Sequence, residues 1–233
     1  MARNTAARGR CAGCRLHLDL CACELIPAIA TRTRVVVIIH RSELRKTTNT
    51  GRLATQCLVN SELVVRGDHG PSPTIAFPPD VAPVVLFPAP DAVPLAELAP
   101  TLGGKPVALV VPDGTWRQAA KVRNRVPGLR DLPCACLPPG EAPSAYRLRA
   151  SAHDHGLATI EAIARALGVL EGEAIRTALE RPFLVMVERT LWARGLCRAE
   201  DVTGGVPVGA TCHDPRVAAP PARAVRRSPV PVV

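Results

Sequence analysis

The sequence contains no long apolar run: nothing in it approaches the roughly 18 residues that a membrane-spanning helix needs. Its first ten residues, MARNTAARGR, also lack the apolar segment that characterises a secretory signal peptide. These two absences argue against a membrane-embedded or exported protein. We therefore expect a cytoplasmic protein.

Aromatic residues are scarce, at 3% of 233 residues, and lysine occurs only at positions 46, 105 and 121. So few aromatic rings argue against a stacking platform for single-stranded nucleic acid. Arginine is abundant, and the formal net charge of +9 favours a polyanionic partner. We expect nucleic acid rather than a membrane, because no basic amphipathic helix is evident. The alternative is that codon bias explains part of the arginine content.

The sequence contains nine cysteines. Because this number is odd and the chain is expected to be cytoplasmic, a disulfide framework is not expected. Four of them fall within residues 11–27, CAGCRLHLDLCACELIP: they are Cys11, Cys14, Cys21 and Cys23. A Cys-x-x-Cys turn aims two sulfurs the same way, and four thiolates close a tetrahedral zinc site without an open position. We predict a structural zinc ion. The alternative, four small core residues, is disfavoured by the polar Arg15 and His17 between them.

Buried strands alternate with helices in the rest of the chain, which predicts an α/β fold with a mostly parallel sheet. Predicted strands cover residues 35–39, 62–66, 84–87, 107–111 and 134–137. Predicted helices cover residues 115–125, 157–167, from about 171 to a break at Pro182, and 183–194. We divide the chain into a disordered start (1–10), a cysteine-rich head (11–27), a catalytic domain (28–213) and a disordered basic tail (214–233).

Residues 109–120, LVVPDGTWRQAA, place an acid, a glycine and one of two tryptophans where a strand ends. Ligands bind at this end of the strands in open α/β sheets. Asp113 suits a general base, because partial burial beside Trp116 raises the pKa of a carboxyl group. Gly114 allows close backbone approach, and Thr115 either caps the next helix or binds a ligand. Alternatively, Asp113 is only a helix N-cap and Trp116 fills the core.

Three other segments carry polar side chains that suit a ligand site. Residues 40–52, HRSELRKTTNTGR, follow the first strand and end in small polar residues and a cation that favour an anionic or polar ligand, with an ordinary turn as the alternative. Residues 144–149, SAYRLR, contain the only tyrosine. Residues 157–162, LATIEA, open a helix in which Thr159 either caps the helix or meets a ligand.

Taken together and in this order, the cysteine head, HRSELRKTTNTGRLA, DGTW, SAYRLR and LATIEAIA resemble the DTW-domain family of tRNA-uridine aminocarboxypropyltransferases, over roughly residues 11–195. The resemblance implies a SPOUT-like α/β fold with a knot-like, C-terminal donor pocket. It implies Asp113, Thr115 and Trp116 as catalytic residues. The donor-binding residues that it implies are Asn49, Thr50, Gly51, Arg52, Gly114, Tyr146, Arg149, Thr159 and Glu161.

The same resemblance implies S-adenosylmethionine as donor and tRNA as partner. In such an enzyme the aminocarboxypropyl group moves to N3 of a uridine and methylthioadenosine leaves. The sulfonium is already an activated electrophile, so the protein supplies mainly positioning and a base, here Asp113, with Trp116 stacked on adenine or uracil. Two other functions stay open at this point: a SPOUT-like RNA methyltransferase, and a non-catalytic RNA-binding module with a zinc head.

Overall fold

A six-stranded parallel sheet forms the centre of the molecule in a computed structural model that describes residues 9–67, 73–138, 144–148 and 156–211. The strands are β1 (Arg34–His40), β2 (Ser61–Arg66), β3 (Ala82–Leu86), β4 (Val93–Pro94), β5 (Val107–Asp113) and β6 (Cys134–Cys136). Their order across the sheet is β2-β1-β5-β3-β6-β4, and every neighbouring pair is parallel.

Strand β1 shows why the sheet is covered on both faces. Its sequence RVVVIIH is an almost continuous β-branched run, which is typical of a parallel strand without a solvated face. Val35 and Val37 point into one hydrophobic core, whereas Val36 and Ile38 point into a second core on the opposite face. The alternation of side chains along the strand thus serves a core on each face of the sheet.

Helices flank the sheet on both sides. They are α1 (Arg41–Leu44), α2 (Thr50–Cys57), α3 (Leu95–Leu98), α4 (Trp116–Ala119), α5 (Val122–Arg125), α6 (Thr159–Glu171) and α7 (Glu173–Ala193), with 3-10 turns at Leu18–Leu20, Cys23–Leu25, Ala99–Leu102 and Ala199–Asp201. The larger core lies under α2, α6 and α7, and the smaller one lies under α5. Among the described residues, no helix is both long enough and apolar enough to traverse a bilayer.

All five predicted strands are present, but several helices differ from prediction. The polar segment 40–52 contains α1 and the start of α2, and α3 was not predicted. The helix predicted over 115–125 is divided into α4 and α5. Pro182 does not break α7, because Leu179 and Phe183 on either side of it are buried in the same core. That burial offsets the roughly 3 kcal/mol that a proline costs inside a helix.

The cysteine-rich head packs on the body of the protein. Cys14, Leu16 and Leu20 are buried in the larger core together with residues of α2 and α7. The head therefore shares a hydrophobic core with the domain it precedes. The predicted disordered tail (214–233) and, except for Gly9 and Arg10, the predicted disordered start lie outside the described residues.

Candidate active site

Asp113 ends β5 at the carboxyl edge of the sheet, where it is in register with Ile39 of β1. Its carboxyl group is buried, with 7% of the residue exposed. Oδ2 accepts a hydrogen bond from Nδ2 of Asn49 at 2.7 Å, and Oδ1 accepts one from Oγ1 of Thr159 at 2.5 Å. Asp113 therefore joins the start of α2 to the start of α6.

The first turn of α2 is built around this carboxyl group. Asn49 is the N-cap: its Oδ1 accepts from the backbone N–H of Arg52 at 2.7 Å, while its Nδ2 donates to Asp113. A Cβ on Gly51 would lie 2.7 Å from Oδ2 of Asp113. Only glycine lets the helix approach so closely. The end of the segment 40–52, which we predicted to hold an anionic or polar ligand, thus has the carboxylate of Asp113 beside it.

Thr115 and Trp116 decide between the alternatives left open for the DGTW segment. Thr115 is the N-cap of α4, since its hydroxyl accepts from the backbone of Gln118, whose side chain accepts from the Thr115 N–H at 2.8 Å. Asp113 therefore does not cap this helix. Trp116 is 41% exposed, so it does not fill the core, and its ring lies 5.9 Å from that of Phe87.

The segment that contains Tyr146 is hydrogen-bonded to the first turn of α6 and to the loop before α2. Buried Glu161 accepts hydrogen bonds from Ser144 Oγ at 2.5 Å and from the backbone N–H groups of Ala145 and Ala158, both at 2.8 Å. The Tyr146 hydroxyl donates to the Thr48 backbone oxygen at 3.0 Å. Glu161 and Tyr146 thus hold together three loops that are distant in sequence. Arg149, predicted with them, lies outside the described residues.

A cavity of about 390 Å³ opens beside this network, at the carboxyl ends of β3, β5 and β6. Its volume and largely apolar lining are those of a site for a small organic ligand. Phe87 and Trp116 supply aromatic surface, and Gly114, next to Asp113 in the chain, and Thr159, its hydrogen-bond partner, also line the cavity. Arg165 of α6 is the only charged residue among the described residues that line it.

The predicted site residues thus fall into two groups. Gly114, Trp116 and Thr159 line the cavity. The remaining described ones do not line it: they are Asn49, Thr50, Gly51, Arg52, Asp113, Thr115, Tyr146 and Glu161. Of these, Asp113, Tyr146 and Glu161 hydrogen-bond between structural elements.

Sequence reasoning missed Arg165, although a signal for it exists. Residues 159, 162 and 165 are spaced by three and therefore lie on one face of α6, and all three line the cavity. The segment that carries Thr159 thus also carries a cation two turns further along the same helix face.

The four cysteines of the head converge as predicted. Their sulfur atoms all lie within 4.8 Å of one another, with separations of 3.4 Å for Cys11–Cys23, 3.5 Å for Cys21–Cys11 and 3.8 Å for Cys14–Cys21. Zinc bound tetrahedrally about 2.3 Å from each sulfur requires separations of about 3.8 Å. Hydrogen bonds, first from the Cys14 backbone and then from the Cys23 thiol, lower the pKa of Cys11 to about 6. The cluster can hold a metal ion.

Two buried arginines bind the head from the body, and neither was recognised as such from the sequence. Arg52 of α2 donates to the carbonyl oxygens of Gly13 at 2.7 Å and Cys14 at 3.2 Å. Arg189 of α7 donates to that of Cys21 at 2.5 Å. Burial lowers the pKa of both guanidinium groups, and no described carboxylate lies within ion-pair distance of either. Arg52, predicted to bind a donor, thus directs its guanidinium toward the cysteines.

Comparison with known proteins gives a family, a relative and a solved structure. A tRNA-uridine aminocarboxypropyltransferase 2 from Drosophila melanogaster is 28% identical over 186 residues, which cover 75% of this chain and 72% of the relative. A solved structure, the SAM-dependent rRNA:acp-transferase Tsr3 from Vulcanisaeta distributa, is 17% identical with a TM-score of 0.41, covering 70% of this chain and 79% of its own. Residues 8–191 match the DTW domain, and the chain therefore belongs to the DTW domain family.

Proposed function

We propose that this protein transfers the 3-amino-3-carboxypropyl group of S-adenosylmethionine to N3 of a uridine in tRNA. One observation carries the proposal: the polar segments that define the DTW resemblance meet around Asp113, beside a cavity at the carboxyl edge of a parallel sheet. The relative from Drosophila melanogaster is named a tRNA-uridine aminocarboxypropyltransferase. We further propose a cytoplasmic location and the knot-like C-terminal pocket of the SPOUT class.

The cavity offers different chemistry for each part of the donor. Phe87 and Trp116 form an aromatic wall suited to the adenine ring. Arg165 is suited to the carboxylate of the methionine moiety, because a guanidinium forms paired hydrogen bonds with a carboxylate. Gly114 leaves room for the reacting carbon near the end of β5. In this arrangement the aminocarboxypropyl arm, rather than the methyl group, is held in place.

We assign Asp113 the role of proton acceptor, acting through Thr159. The carboxyl group itself does not contribute to the cavity lining, but Thr159 does, and its hydroxyl donates to Oδ1 of Asp113 at 2.5 Å. As uridine N3 bonds to the arm, its proton passes to the Thr159 oxygen, while the Thr159 proton passes to Asp113. The donor supplies the electrophilic carbon, and its carbon–sulfur bonding pair stays on the departing thioether. Asn49, Tyr146 and Glu161 act as positioning residues.

We propose that the ion in the head is zinc and that its role is structural. Zinc bound by four thiolates carries a net charge of −2. The two buried guanidinium groups of Arg52 and Arg189 are the matching positive charges beside the cysteines. Since burial of an unpaired cation is costly, their placement favours a metal–thiolate centre over four neutral thiols.

The decisive experiment uses purified full-length protein, bulk tRNA and two preparations of donor, one labelled in the methyl carbon and one in the carboxyl carbon. We expect only the carboxyl label to enter RNA, with aminocarboxypropyl-uridine detected by mass spectrometry of nucleosides. Methyl label in RNA would instead establish a methyltransferase. If neither label enters RNA and the protein binds no donor, the protein would be a non-catalytic RNA-binding module.

A second experiment tests the donor pose with Arg165→Gln. Loss of a hydrogen-bonded charge pair costs about 1.5–3 kcal/mol, so affinity for S-adenosylmethionine should fall about 10- to 150-fold. Affinity for methylthioadenosine, which has no carboxylate, should change less than threefold. Arg176→Gln is the matched control, because Arg176 is also half-buried and does not line the cavity; it pairs with Glu180 on α7. Equal loss of both ligands by Arg165→Gln would refute this pose.

A further inference from the structure

We propose that the basic face formed by α1, α4, α5 and the end of β2 is the surface on which RNA phosphates dock. This inference rests on the proposed function, since it assigns the partner of the same site. We define the basic face by residues 40–48, 66 and 116–126. It shares no residue with the cysteine head (11–27) or with the tail (214–233).

The charge of this face is one-sided. Eight cations, namely Arg41, Arg45, Lys46, Arg66, Arg117, Lys121, Arg123 and Arg125, stand against a single acid, Glu43. Glu43 is buried and pairs with Lys46, and Arg123 pairs with Asp91. No described carboxylate pairs with Arg45, Arg66, Arg117, Lys121 or Arg125. Five cations are thus left for an anion from outside the molecule.

Contacts between the elements hold these cations on one surface. Gln118 of α4 connects two of its neighbours: its Nε2 lies 3.5 Å from Oγ of Ser42 in α1, and its backbone oxygen accepts from Arg66 Nη1 at 3.3 Å. Burial and then the nearby Arg125 lower the pKa of Arg66, so β2 and α5 also present their cations close together. Like charges held together by other contacts repel one another unless a polyanion neutralises them.

The position of the face suits an RNA substrate. Trp116 starts α4 and lines the cavity, and the next residue, Arg117, is exposed on the face. Cations on α4 therefore begin one residue away from the wall of the proposed donor site. Because the face has a single aromatic residue at its edge, it suits contacts with the phosphate backbone, which position RNA without reading its sequence.

The experiment compares two triple variants of the full-length chain in tRNA binding without donor, measured from 50 to 300 mM salt. The test variant is Arg45→Gln, Arg117→Gln and Arg125→Gln. The control is Arg32→Gln, Lys105→Gln and Arg181→Gln, which removes the same charge from exposed positions outside the face. We expect the test variant to lose about tenfold or more in affinity and its log–log salt slope to flatten by about 2–3, since each lost phosphate contact contributes about 0.7–0.9. The control should stay within about twofold of wild type.

Replacement of the same three arginines by lysine should retain most of the salt slope, because the charges stay. Equal losses in both glutamine triples would mean that overall charge, not this face, drives binding, and would overturn the inference. So would an unchanged test variant. Failure of the proposed function would give a different result: the wild type would transfer no label to RNA, whatever the tRNA affinities of the two triple variants are.

Discussion

Asp113→Asn separates a proton acceptor from a carboxylate that only joins two helices. In the folded protein, both oxygens of Asp113 accept hydrogen bonds, from Asn49 and Thr159, within a site where 7% of the residue is exposed. An asparagine has nearly the same size. It keeps one acceptor for Asn49 and turns its amide N–H toward Thr159, whose hydroxyl can accept. The variant should therefore fold without a steric clash, but without the charge.

The loss of stability can be worked out from these contacts. Hydrogen bonds to a charged group contribute about 1.5–3 kcal/mol and neutral ones about 0.5–1.5, so the two bonds together lose about 2 kcal/mol. The first turns of α2 and α6 each favour a nearby anion by about 0.3–1 kcal/mol, which adds about 1 kcal/mol. We expect the free energy of unfolding to fall by about 3 kcal/mol, less than the about 5–15 kcal/mol of a typical domain.

The assay pairs urea unfolding with single-turnover transfer to tRNA at a temperature where the variant is folded. If Asp113 accepts the proton, the rate should fall by about 10²–10⁴-fold while donor affinity changes little. A rate within a few-fold of wild type would exclude Asp113 as the acceptor. An unfolding free energy within about 0.5 kcal/mol of wild type, the scale of an ordinary surface substitution, would refute the contacts themselves.

Thr159 supplies the matched controls for this experiment. Thr159→Val keeps the shape and leaves the Asp113 charge in place, but it removes the hydroxyl between the carboxyl group and the cavity. We expect a rate loss close to that of Asp113→Asn, with a smaller loss of stability. Thr159→Ser retains the hydroxyl and should recover most of the rate. A fully active Thr159→Val would rule out the relay.

The remaining predictions concern α2, the head and the tail. Gly51→Ala should lower the free energy of unfolding in urea by about 1–3 kcal/mol, because the new Cβ would lie 2.7 Å from the Asp113 carboxyl group. Helix propensity alone predicts that the free energy of unfolding rises by about 1 kcal/mol, and that result would contradict the prediction. Freshly purified protein should contain one zinc per chain and lose it when the four head cysteines become serine; substoichiometric zinc in the wild type would count against the site. Removal of residues 214–233 should preserve turnover at saturating RNA but make RNA binding less dependent on salt. Loss of activity at every RNA concentration would show that our tail boundary is wrong.

Local patterns in the sequence determined the layers of this protein and the chemistry of its parts. The β-branched run at 35–39 predicted a buried parallel strand, because its alternating side chains leave no face for water. The spacing of the four cysteines predicted that their sulfurs converge, since short loops restrict where the thiols can point. The order of the DTW segments predicted the family that residues 8–191 match.

Only the tertiary structure decided what each polar residue contacts. Whether Asn49 meets a ligand or Asp113, and whether Arg52 faces a cavity or a cysteine head, depends on elements that are separated by 64 and 39 residues. No local pattern encodes such distances. Pro182 lies within α7 for the same reason, because the core on both sides of it outweighs its local preference. Burial and long-range hydrogen bonds are properties of the assembled chain, and they set the roles that composition and spacing left open.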